Sequence, residues 1–185
     1  GLSARAQYFN HDYGTANLED PQSGMNTTLN HDGFLISGLS TNTITTNVGT
    51  VVGYVDKTGN IPGGSTFFVK GYRVRTPAPT NIPMNSRDGR VLELSANNFG
   101  IAGTAHITSG NTTYDYIYYI ETDTAGAIVG NPVLYDATGY ISYKLNNMTL
   151  STSTGNALYL TGYAIVGGSN ELRMYVLKSN FNGTL

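Results

Sequence analysis

Tyr54-Val-Asp56-Lys-Thr-Gly59-Asn-Ile61 reads as an apolar strand running into an aspartate, with a glycine three residues on. The octet recurs as Glu121-Thr-Asp123-Thr-Ala-Gly126-Ala-Ile128 and as Lys178-Ser-Asn180-Phe-Asn-Gly183-Thr-Leu185, where Asn180 replaces the aspartate. A second landmark precedes each copy at nearly constant spacing, a strand ending in glycine: Gly33-Phe-Leu-Ile-Ser-Gly38, Asn98-Phe-Gly-Ile-Ala-Gly103 and Ala157-Leu-Tyr-Leu-Thr-Gly162. Two landmarks recurring in one order mark an internal repeat, and a repeat decides architecture before any single residue does. Gly1-Leu2-Ser3 stands where Gly59-Asn-Ile and Gly126-Ala-Ile stand later, so units of about sixty residues fall at 1–58, 59–125 and 126–185. Residues 1–185 are therefore expected to form a single all-β repeat domain.

Working outward, each unit has room for four strands. The first follows the glycine: Leu2 to Phe9, Ser65 to Tyr72, Ala127 to Tyr135. A long link comes next, Asn10 to Ser23, Arg73 to Asp88 and Asp136 to Asn147, and most of the prolines sit in it (Pro21, Pro77, Pro79, Pro83). Proline cannot donate to a ladder, so these links are expected to be irregular. The second strand is Met25 to Leu29, Arg90 to Ser95 or Thr149 to Thr152. Asp-Gly or Asn-rich hairpin turns then lead into the third, which ends at Gly38, Gly103 or Gly162. The fourth ends at Asp56, Asp123 or Asn180. Helical periodicity is absent, and hairpin-linked strands pair antiparallel as a meander.

A four-stranded meander repeated around an axis is the blade of a β-propeller. The rival is a β-sandwich, which also shows many short strands but does not require repeated landmarks. The run from His31-Asp-Gly-Phe-Leu-Ile-Ser-Gly38 to Val55-Asp-Lys-Thr-Gly59, and the pair Leu160-Thr-Gly162 and Tyr175-Val-Leu-Lys178, resemble the repeat of secreted bacterial β-propellers of Bacteroidetes-type surface proteins. The chain departs from that pattern in lacking the tryptophan that often follows Gly-x-Ile, and the lysine in two of three copies. The resemblance covers most of the chain and implies a secreted or cell-surface location and a family defined by fold. A propeller closes with about four to eight blades. Three units therefore imply either a stretch of a longer propeller or two chains sharing a ring, with another copy or segment completing an open sheet edge.

Composition bounds the chemistry. Only 12% of residues are charged, with ten basic against twelve acidic, so no field favours phosphate backbones or anionic lipid, and nucleic acid is excluded as a partner. No apolar run approaches the ~20 residues of a membrane helix. With no cysteine, disulfides and thiolate sites are ruled out. His11, His31 and His106 offer no chelating spacing, and no metal or cofactor is expected. The Asp-x-x-Gly turns supply one carboxylate each, too few for calcium, whereas Asp first and Gly fourth suit a type I turn. Asp56, Gly59, Asp123, Gly126, Asn180 and Gly183 are accordingly structural turn residues.

Paired acids for glycoside hydrolysis need carboxyls about 5 to 9.5 Å apart. Asp88 with Glu93, and Asp115 with Glu121, are the candidates. Asp88 sits in an Asp-Gly-Arg turn and Glu93 on an alternating strand, and both read as exposed. No catalytic residue is assigned, and the protein is expected not to be an enzyme. Tyrosine is the most suggestive residue type. Period two puts Tyr114, Tyr116 and Tyr118 on one face with Ile120, and Ile117 with Tyr119 on the other, either packed between sheets or forming a platform. The links and third-to-fourth loops share one end of each meander, where binding residues of a rigid scaffold normally lie. Tyr114, Tyr116, Tyr118, Tyr140, Arg75 and Arg87 are the candidate binding residues there. The expected function is a secreted binding or structural module for a protein or glycan. The alternatives are part of a carbohydrate-active propeller enzyme or lectin, and a phage or adhesin assembly domain.

Overall fold

The computed structural model describes residues 18–28, 30, 32–41, 48–61, 70–76, 81–109, 112–136, 139–151 and 157–180, and these contain strands and turns with no helix. The strands form three antiparallel sheets. The N-terminal sheet runs in the order β1 (Leu18–Thr27), β2 (Gly33–Thr41), β3 (Val48–Asp56) and β4 (Lys70–Tyr72). In the central sheet, β5 (Asn85–Ser86) and β6 (Arg90–Ser95) both pair with β7 (Asn98–Ser109), which is followed by β8 (Thr112–Asp123) and β9 (Ile128–Tyr135). The C-terminal sheet is β10 (Tyr140–Ser151), β11 (Ala157–Val166) and β12 (Leu172–Asn180). Each is a meander, except that β5 and β6 lie one after the other along the same edge of β7; the other sequential neighbours pair as the turn chemistry requires.

The octet that repeats is a hairpin loop. Gly59 N donates to Asp56 O at 2.9 Å and Asp56 N to Asn60 O at 2.8 Å, and Gly126 and Asp123 repeat the pattern at 3.0 and 2.9 Å. Gly59 and Gly126 have φ of +85° and +73°. This is a type I turn closed by a residue in the left-handed region, where only glycine is free of a Cβ penalty. Asp56 Oδ1 accepts from Thr58 N at 2.8 Å, Thr58 Oγ1 at 2.6 Å and Asn60 N at 2.9 Å. These donors, the Thr58 hydroxyl foremost, hold the exposed Asp56 carboxyl below its ordinary range. Its support is therefore present above the usual carboxylate pKa of about 3.9 and is lost as pH falls through the lower folded value. Asp56→Ala should flatten the acid limb of stability, and Gly59→Ala should cost about 1 kcal/mol. Urea midpoints measured down to about pH 2 check both.

The N-terminal and central sheets take their outer strand from residues just past this loop: β4 follows Gly59 and β9 follows Gly126. The spatial unit is thus offset by one strand from the sequence period. Two expectations are corrected. The third strands do not end at their glycines, since Gly38, Gly103 and Gly162 lie mid-strand opposite Val51, Tyr118 and Tyr175. The link Asp136 to Asn147 is mostly strand, because β10 starts at Tyr140. That link holds no proline, and Tyr143 and Leu145 alternate inward with exposed Lys144 and Asn146. Where proline does occur inside a strand it sits at an irregularity: the register of β1 shifts between Asp20 and Gly24, around Pro21. Leu2 to Phe9, His11, His31, Pro77, Pro79 and Gly183 lie outside the described residues.

Two hydrophobic clusters bind the sheets together, one on each face of the central sheet. Phe99, Ile101, Tyr118 and Ile120 pack with Leu35, Val52 and Tyr54 of the N-terminal sheet. Ala102, Ile117 and Tyr119 pack with Tyr143, Leu145, Leu158 and Leu160 of the C-terminal sheet. The molecule is therefore three layers deep, where a two-sheet sandwich has two. The alternation along β8 follows the period-two expectation, with Tyr118 and Ile120 buried on one face and Ile117 and Tyr119 on the other.

Candidate functional site

The long connections leave each sheet from one end. These ends adjoin where Val48 N donates to Asn85 Oδ1 at 3.2 Å and where Arg87 reaches Ser142. The second seam, between the central and C-terminal sheets, carries the densest polar chemistry. Arg87 Nη1 donates to Asp115 Oδ2 at 2.9 Å and to Ser142 Oγ at 3.1 Å, while its Nε donates to His106 Nδ1 at 3.2 Å. The Arg87 side chain is 40% exposed and that of Asp115 only 1%. Burial, followed by the Arg87 charge, lowers the pKa of His106, so the imidazole is neutral near pH 7 and its bare Nδ1 can accept. Asp115 Oδ2 also accepts from Tyr143 N at 3.3 Å, and its Oδ1 is buried without a hydrogen-bond partner.

Of the six candidate binding residues, the structure brings Arg87 and Tyr140 to this seam. The Tyr140 ring lies tilted by 40° to that of Tyr143, centroids 6.0 Å apart, and the Tyr143 hydroxyl donates to Asp136 Oδ1 at 3.2 Å. Tyr114 and Tyr116 lie on the opposite face of β8, toward the N-terminal sheet; Tyr114 is 50% exposed and Tyr116 packs against the core there. Burial, then Asp136 and Tyr114, raises the pKa of Tyr116. Arg75 is exposed on the excursion between β4 and β5 and donates to Asn81 O. Tyr118 is removed from any surface platform: it is 1% exposed, and its hydroxyl donates to Asp88 O at 3.3 Å and meets Thr50 Oγ1. The seam residues His106, Asp115 and Ser142 were not assigned from sequence, because they come from three different strands with no shared spacing.

The acids expected at the surface are buried. Asp88 is 4% exposed and Glu93 2%. Strand alternation is no guide to exposure in a sheet covered on both faces, and the Asp88 turn lies between all three sheets. Asp88 Oδ1 accepts from Thr104 N at 2.7 Å, and Oδ2 from Thr104 Oγ1 at 2.9 Å and Leu145 N at 3.2 Å. Its carbonyl accepts from Thr50 Oγ1 at 3.2 Å, and Gly89 O from Ser37 Oγ at the same distance. Glu93 Oε2 accepts from Asn30 N at 2.9 Å. Asp88 and Asp115 thus satisfy amides on the free edge of β10, two residues apart, and Arg90 Nε caps the same edge by donating to Asn146 O at 3.0 Å. Such carboxylates work as ties between sheets, since an edge amide buried without an acceptor costs about 1–3 kcal/mol. Glu121 is half-buried and accepts from Asn98 Nδ2.

Among the described residues no group of three or more His, Asp or Glu is placed to hold a metal ion. Comparison with protein-family models, with curated proteins and with solved structures finds no match.

Proposed function

We propose that the protein is a non-catalytic binding module of a secreted or cell-surface protein, its three sheets being successive blades of a β-propeller that takes a glycan or protein partner at the long-loop end. The observation that carries the reading is the half-exposed Arg87, pinned by Asp115 and His106. It is a preorganised charged donor at the loop end, suited to hydroxyl-rich or carboxylate-bearing ligands. The buried acids support the non-catalytic part, since Asp88 and Glu93 already accept backbone hydrogen bonds. The repeated face-to-face stacking of meanders supports the blade reading. No helix among the described residues is long and apolar enough to cross a membrane.

Affinity electrophoresis through gels containing soluble polysaccharides, together with an array of immobilised glycans and peptides, tests the proposal. Retention by at least one matrix is expected, without release of reducing ends. Arg87→Ala combined with Tyr140→Ala should weaken retention at least about tenfold, the scale of one lost anchor. Lys57→Ala, at the opposite end, should leave it unchanged. The reverse pattern, or steady release of reducing sugar, would refute the assignment.

A further inference from the structure

The three sheets use their faces in one repeating order. Aligning Gly38–Val51, Gly103–Tyr118 and Gly162–Tyr175 as equivalent cross-strand pairs makes Val52, Tyr119 and Val176 equivalent, and likewise Thr50, Ile117 and Met174. In the N-terminal sheet this leading face is buried against the central sheet, and in the central sheet it is buried against the C-terminal sheet. In the C-terminal sheet the same face is bare: Leu172, Met174 and Val176 are 64%, 92% and 70% exposed. A contiguous apolar strand face of this kind marks an interaction surface.

The opposite, trailing faces show what fits it. The central sheet meets the leading face of its neighbour with Phe99-x-Ile101-x-Gly103, and the C-terminal sheet does so with Leu158-x-Leu160-x-Gly162. The N-terminal sheet carries the same pattern in the same register, Phe34-x-Ile36-x-Gly38, with Phe34, Ile36 and Val51 half-buried and outside both clusters. We infer that the bare face of the C-terminal sheet docks on the trailing face of the N-terminal sheet of a second copy, repeating between chains the packing found twice within one. The contact is heterologous, joining two different faces head to tail, so copies close into a ring or extend as a row. It does not depend on what binds the loop end.

Sedimentation velocity over a concentration series of the full chain reads the association. Wild type should self-associate reversibly. Met174→Asp, at a position with no folding role, should weaken association at least about 30-fold, as should Ile36→Asp at the other face. If Ile36→Asp loses its far-ultraviolet circular dichroism, Val51→Lys replaces it. Mixing the two variants at equal concentration should restore one intact junction and give dimers and nothing larger. A monomeric wild type at all concentrations would overturn the inference. So would dimers formed by either variant alone, which would mean that like faces pair.

Discussion

Asp88→Ala should lower the unfolding free energy by about 3–5 kcal/mol, read as a fall in urea midpoint at pH 7, because it strands donors on two sheets at once. Thr104 N, Thr104 Oγ1 and Leu145 N all lose their acceptor, and the vacated space lies between strands that cannot close on it. Asp88→Asn should cost about 1–3 kcal/mol, since the amide keeps one acceptor oxygen but turns an NH2 toward one of those donors. The pair also differ in pH response. Burial raises the Asp88 pKa, more than the Thr104 and Leu145 donors lower it. A carboxyl with a raised folded pKa binds more protons folded than unfolded, so its contribution is largest below the unfolded value of about 3.9 and declines as pH rises through the folded value. The stability difference between wild type and Asp88→Asn should therefore shrink on going from about pH 4 upward. A difference that grows with pH would show that the charged form is the favoured one in the fold.

The second large effect is expected at Gly103. In a strand, replacing glycine by alanine usually gains about 0.5–1 kcal/mol by restricting the unfolded chain. Here an added Cβ would overlap the Asp88 carbonyl and lie 2.6 Å from Tyr118 Oη, atoms held by hydrogen bonds on both sides. Neither can withdraw, so Gly103→Ala should destabilise by about 3 kcal/mol or more, the upper range of overpacking. Gly162→Ala should behave alike, for its Cβ would overlap Lys144 O and lie 2.7 Å from Tyr175 Oη. The same device is built twice: a tyrosine lies across a glycine on the adjacent strand and donates its hydroxyl to a carbonyl one strand further, Asp88 O at 3.3 Å or Lys144 O at 3.2 Å. Thermal midpoints showing either alanine variant at or above wild type would remove the close approach as the reason for those glycines.

That pairing explains which features could be read from residues alone. The recurring glycine was visible as a landmark, and so was the turn glycine, because each answers to a local constraint on backbone or contact. Strand pairing followed from hairpin chemistry, and the alternation along β8 from the pleat. The true reach of the strands was hidden, since Gly38, Gly103 and Gly162 looked like terminators while their partners on the next strand keep the ladder going. Exposure of Asp88 and Glu93 was misjudged for a different reason. A polar residue opposite another sheet's free edge is indistinguishable in sequence from one opposite water; only the approach of β10 and of Asn30 decides. The Arg87 seam was half legible, with Arg87 and Tyr140 singled out by position in the links, whereas the grouping of His106, Asp115 and Ser142 arises only where three strands meet.

The ties of Asp88 also bear on how the chain could be shortened. In a stack whose layers touch only through apolar faces, an end layer can be removed and the rest stands, since each repeat answers to its neighbour alone. Here one residue joins all three layers, with its side chain holding Leu145 and its carbonyl held by Thr50. Cutting away the last sheet would leave that carboxylate facing solvent without the amide it holds, and cutting away the first would free the carbonyl that steadies Tyr118. A truncation placed at the sequence period therefore falls at a boundary that the hydrogen bonds do not respect.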